Sequence, residues 1–440
     1  MKHSYKTFIY FPLVLLVAII FLLSSCKVEP IADPNNPALT SIEQNASIGE
    51  IQNLVDGIES GMRDNMAFYF DDAGAIGREF YRFSTSDPRY VTELLGKGNS
   101  ELDNNTFYIA RPYSAIYRVI KNTNILISAL KNTKADLSDP QRKTGTAYAK
   151  TIQAYELLLA FNLEYGNGIR VDVADPSNLG PFLSQEESIN AIQDLLNAAN
   201  TDLKGSLDKF PFSSSIYTNE AATFSKFNRA LAARVAVYRK DWTQASTALS
   251  ESFFDLNGSL TMGAYYLYST AGGDKLNPLF TPLNTSGETR VVEPSFITDA
   301  QAGDIRVAAK TSKRNETALQ DDLKSDYDFY VYKTNIASIP IIRNEELILL
   351  YAEVHAQLTD PVNAVKAINI IRHSASLADY TGATDLNSLI NEILKQKRYS
   401  LYGEGHRWID MRRYDKLDEL PIARPGDNVW VQFPRPINEL

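Results

Sequence analysis

Apolar residues recur every three to four positions over most of this chain, and that period predicts helices in nearly every long segment. Ser47 opens one with Ile51, Leu54, Val55, Ile58 and Met62 on a single face, ending near Asn65. Helices resume over residues 106–131, and again after Ser138-Asp139-Pro140, where a capping serine precedes a proline in the first turn. This last helix runs to Tyr165, where Gly166 and Gly168 stop it. Ser184 and Glu187 make a capping-box pattern ahead of Ile189, Ile192, Leu195, Leu196 and Leu203. Late in the chain Ile390, Ile393, Leu394 and Leu401 share a face, and Gly403 follows as a left-handed cap, which ends that helix at Tyr402.

Two of the helical stretches read as copies. RVAVYRKDWTQASTAL (234–249) and EVHAQLTDPVNAVKAI (353–368) each carry a helix, a short break and a capping aspartate, Asp241 and Asp360. Alanines follow at Ala245 and Ala364 and at Ala248 and Ala367, always with an offset of 119. Small residues at fixed places let two helices approach closely, the packing logic of tetratricopeptide-type hairpins. Two copies alone do not establish a solenoid.

Two regions break the period. Residues 66–105 are dense in aromatics and glycine, and residues 256–338 combine glycine pairs, prolines and the run Tyr327 to Tyr332, whose alternation suits a short strand. The expected fold is therefore mainly α, a scaffold of helical hairpins with two long irregular insertions and minor β content. Long loops in compact domains are usually functional or disordered.

The N-terminus adds a compartment. Lys2 and Lys6 precede an apolar run over 8–23 that contains Pro12 and is shorter than the roughly 20 residues of a spanning helix, so 1–25 reads as a signal peptide. Cys26, the only cysteine, follows Leu23-Ser24-Ser25 and resembles the bacterial lipobox, where the thiol takes diacylglycerol. The alternative is an incidental thiol in a membrane anchor. Residues 26–44 are proline-rich and polar, as in a tether, and residues 45–440 read as one helical domain. With one cysteine there is no intrachain disulfide. Removing residues 1–25 takes away two lysines and no acid, moving the formal charge from −9 to −11. That balance argues against nucleic acid and against a broad grip on sulfated or uronic polymers, while leaving room for a local basic site.

Catalytic chemistry leaves few marks. His355, His373 and His406 lack the spacing of a helical zinc site, and no nucleophile elbow, Walker loop or dinucleotide fingerprint occurs. Asp71-Asp72 is a weak calcium candidate, adjacent acids being more often solvated or capping. The sequence therefore implies no cofactor and no metal. Glu404, Arg407, Asp410, Arg412 and Arg413 alternate in sign around Trp408, which suggests a short second helix with the indole inward. Glu404 and Asp410 are either an acid–base pair for glycoside cleavage or structural partners of the arginines; so many nearby cations keep both ionised, which suits a salt-bridge lock. A carboxylate pair converging from elsewhere in the chain stays open.

The run LYGEGHRWIDMRRYDKL (401–417) after KQKR, the helical pair RNEELILLYAEVHAQL and AINIIRHSASL, and the ending FPRPINEL resemble the SusD/RagB family. The resemblance implies an α-helical outer-membrane lipoprotein, facing the exterior, that captures oligosaccharides for a SusC-like TonB-dependent transporter without cleaving them. Within that family RagB-like members imply peptide capture instead. A surface glycoside hydrolase and a purely structural lid are the rivals from other classes.

Sugar capture needs fixed aromatic faces with hydrogen-bonding side chains between them. The two irregular regions supply Phe68, Tyr69, Phe70, Asp72, Arg78, Tyr81 and Tyr90 from the first, and Tyr265, Tyr266 and Tyr330 from the second. The three tryptophans, Trp242, Trp408 and Trp430, fall in scaffold-like stretches, so stacking falls to tyrosine and phenylalanine.

Overall fold

Local capping fixes where the helices begin. Ser47 and Glu50 close a reciprocal capping box at the head of α2 (Ile48–Gly61), as do Ser138 and Gln141 at α5 (Asp139–Glu164) and Ser184 and Glu187 at α6 (Gln185–Leu203). The computed structural model describes residues 39–204 and 209–439. The signal segment and Cys26 lie outside the described residues. Tether residues 39–44, expected to be irregular, instead belong to the helix α1 (Leu39–Asn45): no proline follows Pro37 in that stretch to interrupt it.

Residues 43–440 form one compact unit. In it α4 (Phe107–Asn132) packs between α2 and α5, and α5 leads through α6 to α7 (Ala221–Tyr238). The suspected copies are two hairpins. Three residues join α7 to α8 (Trp242–Glu251), and, beyond the short helices α9 (Ser295–Thr298) and α10 (Ile305–Lys310), three join α11 (Asn344–Gln357) to α12 (Pro361–Ser374). Asp241 and Asp360 each accept the backbone N–H three residues on, and Lys240 and Thr359, one residue before them, both adopt left-handed backbone at φ 59° and 58°. The likeness therefore extends to the backbone of the turn. Ala245, Ala248, Ala364 and Ala367 are all buried where the paired helices meet. Ala364, Ala367, Ile368 and Ile371 of α12 join Ile348, Leu349 and Ala352 of α11 and Ile390 and Ile393 of α13 (Leu386–Ser400) in one apolar core.

The first irregular stretch is more ordered than its sequence suggests. It holds α3 (Met66–Ile76) and β1 (Phe80–Phe83). The helix escapes a periodicity test because nine of its eleven residues are buried, leaving no polar face to alternate with an apolar one. The strand β1 enters an antiparallel sheet of order β1-β3-β5-β4, with β3 at Thr289–Val292, β4 at Thr311–Gln320 and β5 at Leu323–Phe329. A second, two-stranded sheet pairs β2 (Gly263–Tyr266) with β6 (Ile339–Arg343). Strand content is minor, as expected, but β1 and β6 lie outside the insertion assigned to it.

The last helices are held by charge. Gly403 adopts φ +77° after α13, and α14 (Arg407–Arg413) then turns Trp408 fully inward. Lys397 of α13 bonds Glu353 of α11 at 2.8 Å and Asp410 of α14 at 3.1 Å; Arg413 bonds the same two carboxylates at 2.9 and 2.6 Å. All four side chains are buried. Glu404 pairs with Arg343 at 2.8 Å. The salt-bridge lock read from the sequence is present for Asp410, with Glu353 as a member that the local pattern did not indicate, whereas Glu404 is answered by the distant Arg343, and Arg407 and Arg412 bond backbone carbonyls instead of the two acids.

Two predictions follow from these charges. Lys397→Ala strips one cation from two buried carboxylates and is expected to lower unfolding free energy by roughly 3–5 kcal/mol; a denaturant midpoint equal to wild type would remove the lock from the account. The second concerns pH. Asp410, which burial alone would push up, is held at about 2 by Lys397 and Arg413, so its contribution is present above its ordinary value of 3.8 and fades as pH falls toward 2. Glu79 is the reverse: burial raises it to about 8, so its contribution is complete below 4.5 and is lost as pH rises through 8. Stability measured by urea titration should therefore decline between about pH 5 and 8, and Glu79→Gln should flatten that decline; a variant with the wild-type slope would refute the assignment.

Candidate functional site

Phe68, on the first turn of α3, points away from the core and is only half-buried. Its ring meets the edge of Phe107, the first residue of α4, with centroids 5.7 Å apart. Tyr90, from the turn Pro88–Tyr90, approaches Phe107 at 5.0 Å. Arginines frame this aromatic group. Arg111, exposed and one turn along α4, lies over Phe68 at 5.0 Å and Phe107 at 5.9 Å; Arg89 lies over Phe107 at 4.9 Å, and Arg82 over Tyr90 at 5.2 Å. Asp87 caps the turn and holds Arg89 by two bonds, at 2.9 and 2.7 Å, while Arg89 reaches Thr106 at 2.6 Å. Those bonds from Arg89 hold the Asp87 carboxyl below its ordinary value. Arg82 pairs with Glu288 at 2.8 Å, which brings the β3 side of the second insertion to the same region.

The turn that carries Arg89 and Tyr90 is fastened by the far end of the chain. Trp430 donates its indole N–H to the Glu93 carbonyl at 2.7 Å, the Asn428 amide donates to the Leu95 carbonyl at 3.0 Å, and Arg424 reaches the Val91 carbonyl at 2.5 Å. Arg78 spans both segments, bonding the carbonyls of Leu95 and Asn428. A surface loop with four such bonds holds its side chains in place before any ligand arrives.

Most of the other sequence candidates are elsewhere. Tyr69, Phe70 and Tyr266 are buried around a cavity of about 20 Å³, which is closer to one water than to a sugar. Tyr69 accepts a bond from Asn162, and the Tyr266 hydroxyl bonds that of Tyr155. Asp72 is fully buried with neither carboxylate oxygen partnered, and burial followed by the neighbouring Asp71 charge raises it well above its ordinary value. Asp71 itself is paired with Arg290 at 2.5 Å, and no group of three or more potential metal ligands converges among the described residues. Arg78 is a buried carbonyl clasp, lowered to about 10 by burial, and Tyr81 lies inside the sheet against Phe83. Tyr69, Phe70, Asp72, Arg78, Tyr81 and Tyr266 thus face the core, turned inward by the helix and strands that the pattern concealed, and Tyr90 is itself buried behind Phe107 at 8% exposure, which leaves Phe68 as the half-exposed candidate of the first region. Tyr265 and Tyr330 are half-buried, but Tyr265 bonds its own loop at Thr261 and Tyr330 lies beside Lys333, so neither joins the Phe107 group.

A family model described as the SusD family matches residues 308–425. Among curated proteins, the SusD-like protein P38 of Formosa agariphila is 28% identical over 134 residues, 28% of this chain and 26% of that protein, so the match spans about a quarter of the relative's length. Solved structures match far more of the fold. A SusD superfamily protein from Bacteroides vulgatus superposes with TM-score 0.66 at 15% identity, covering 89% of this chain and 96% of that one. Surface glycan-binding protein A from Bacteroides thetaiotaomicron, solved with laminarihexaose, gives TM-score 0.70 at 15% identity over 89% and 97%. Residues 308–425 thus match the SusD family, and the chain shares its fold with these structures over most of its length.

In this chain the signature-like run 401–417 is scaffold, and the candidate site lies away from it. Phe107, Arg89, Arg111 and Arg82 were missed by sequence reasoning, although Phe107 and Arg111 carry a local signal: they are four apart at the start of a helix whose apolar face lies elsewhere. A pinned turn predicts that Trp430→Phe, which deletes the bond to Glu93, frees Arg89 and Tyr90; amide exchange of residues 89–95 should accelerate at least severalfold, and unchanged protection there would separate the turn from the C-terminal segment.

Proposed function

We propose that this chain is a cell-surface lipoprotein that captures oligosaccharides and hands them to a SusC-like TonB-dependent transporter. The observation that carries the reading is the aromatic pair Phe68 and Phe107 framed by Arg111 and Arg89 on a pinned turn. A pyranose ring offers C–H groups to such faces and hydroxyls to guanidinium donors, and rings held by protein contacts need little ordering when it binds. Phe68 remains as a proposed contact, joined by Phe107, Arg89 and Arg111, with the buried Tyr90 backing Phe107. Support also comes from the fold, shared with a neighbour solved with laminarihexaose.

The chemistry is binding without bond cleavage. Asp410, the acid nearest to a catalytic role in the signature, is held ionised by Lys397 and Arg413 and sits buried, unsuited to giving a proton to a glycosidic oxygen. Anchoring rests on the lipobox-like Cys26; no described helix is long and apolar enough to cross a membrane.

Calorimetry of residues 43–440 against a panel containing laminarihexaose, other neutral oligosaccharides and peptides, with product analysis of the same samples, tests the reading. Saturable heat with intact glycan is expected, and Phe107→Ala should weaken it about tenfold, ~1.4 kcal/mol, with Arg111→Ala a smaller loss. Full affinity in both variants for a verified glycan would move the site. A peptide signal in place of a glycan one would shift the substrate class, and new reducing ends would make the protein an enzyme.

A further inference from the structure

Beside the signature, between α13, α14 and the turns at Asp299 and Glu419, lies a pocket of about 400 Å³ that the glycan reading does not use. Four cations line it, Lys395, Arg398, Arg407 and Lys416, against two acids. Both acids are already engaged: Asp299 with Arg398 at 2.9 Å and Glu419 with Lys416 at 2.5 Å. Arg407 and Lys395 are left over. Among the described residues the one hydrogen bond from the Arg407 side chain runs from Nε to the Gly77 carbonyl at 3.2 Å, and neither cation has an ion-pair partner. Burial, with the neighbouring Arg398 charge adding to it and the Glu79 and Glu293 charges opposing it, lowers Arg407 to about 10. Tyr399, which also lines the pocket, is 1% exposed, and its hydroxyl is buried with no partner.

An acidic protein that assembles unpaired cations in a concave site meets a desolvation cost that a bound anion would offset. Two surplus charges match one dianion, and the volume exceeds what a bare oxyanion fills. We propose that this pocket binds a phosphate- or sulfate-class oxyanion, carried on a sugar, with Arg407 and Lys395 as its principal contacts. The site is separate from the Phe68–Phe107 group and stands or falls without it.

The test is calorimetry of the full-length chain in detergent, using inorganic phosphate, glucose 6-phosphate and glucose as probes. Saturable binding of both phosphate-bearing probes, no binding of glucose, and a steep loss of affinity with added salt are expected. Tighter binding of glucose 6-phosphate than of phosphate supports the sugar-borne anion; equal binding supports the oxyanion site and overturns the sugar. Arg407→Gln and Lys395→Glu should each weaken binding at least tenfold. Because Arg407 is packed against Gly77 and its variant risks misfolding, the half-exposed Lys395 decides the matter by itself. Silence with both phosphate probes, or affinity that Lys395→Glu leaves unchanged, overturns the proposal.

Discussion

Glu353 is fully buried, and the placement of α11, α13 and α14 depends on how its charge is answered. Burial alone would raise its carboxyl; Arg413 and Lys397 outweigh that and bring it below its ordinary value. The Tyr414 hydroxyl adds a bond at 2.7 Å. An arrangement of two carboxylates and two cations is tolerable in a low-dielectric core only when all four are in register, because displacing any one leaves an unpaired buried charge. It is therefore a geometric constraint more than a source of net stability: α11, α13 and α14 have one relative position in which it closes. Arg234 with Glu346, buried at 2.6 Å, extends the same constraint from α11 to α7.

The N-terminal half solves buried polarity differently. Asp72 and Glu156 are buried with unpartnered oxygens and no cation beside them, and burial raises both well above their ordinary values. A carboxyl in such a place stays protonated, which removes the charge instead of pairing it. Two regimes in one chain predict a pH response with two opposed limbs, one from paired acids and one from neutral ones.

Much of the scaffold was legible in the sequence because its signals are local. A serine cap and its glutamate three residues on, an aspartate before a hairpin helix, and a glycine after a helix each act within one turn, and Ser184, Asp360 and Gly403 do what their neighbours imply. The candidate site was only partly legible, since exposure is decided by distant chain. In α3, Phe68 lies outward while Tyr69, Phe70 and Asp72 are covered, and no pattern in MAFYFDDAGAI separates them. The hairpin of β4 and β5 hid for the opposite reason: β4 reads SKRNETALQ after its first residue, an exposed strand whose pairing comes from its partner and not from a buried face.

Trp430 joins the charged lock to the candidate site. Scarce tryptophan is a natural platform for a sugar, yet here Trp408 donates to the Trp430 carbonyl and Trp430 donates to the Glu93 carbonyl, at 2.7 Å each. Both indoles serve as connectors, running from the charged lock through the C-terminal segment to the turn that presents Arg89 and Tyr90. Phenylalanine then suits the exposed position. It offers a stacking face without a polar edge to satisfy, and the arginines above and beside it supply the directional bonds that a tryptophan N–H would otherwise give. On the proposed reading, the division places conformational precision in the buried signature and leaves chemical adaptability to a few half-exposed side chains, whose replacement should alter binding without disturbing how the helices lock.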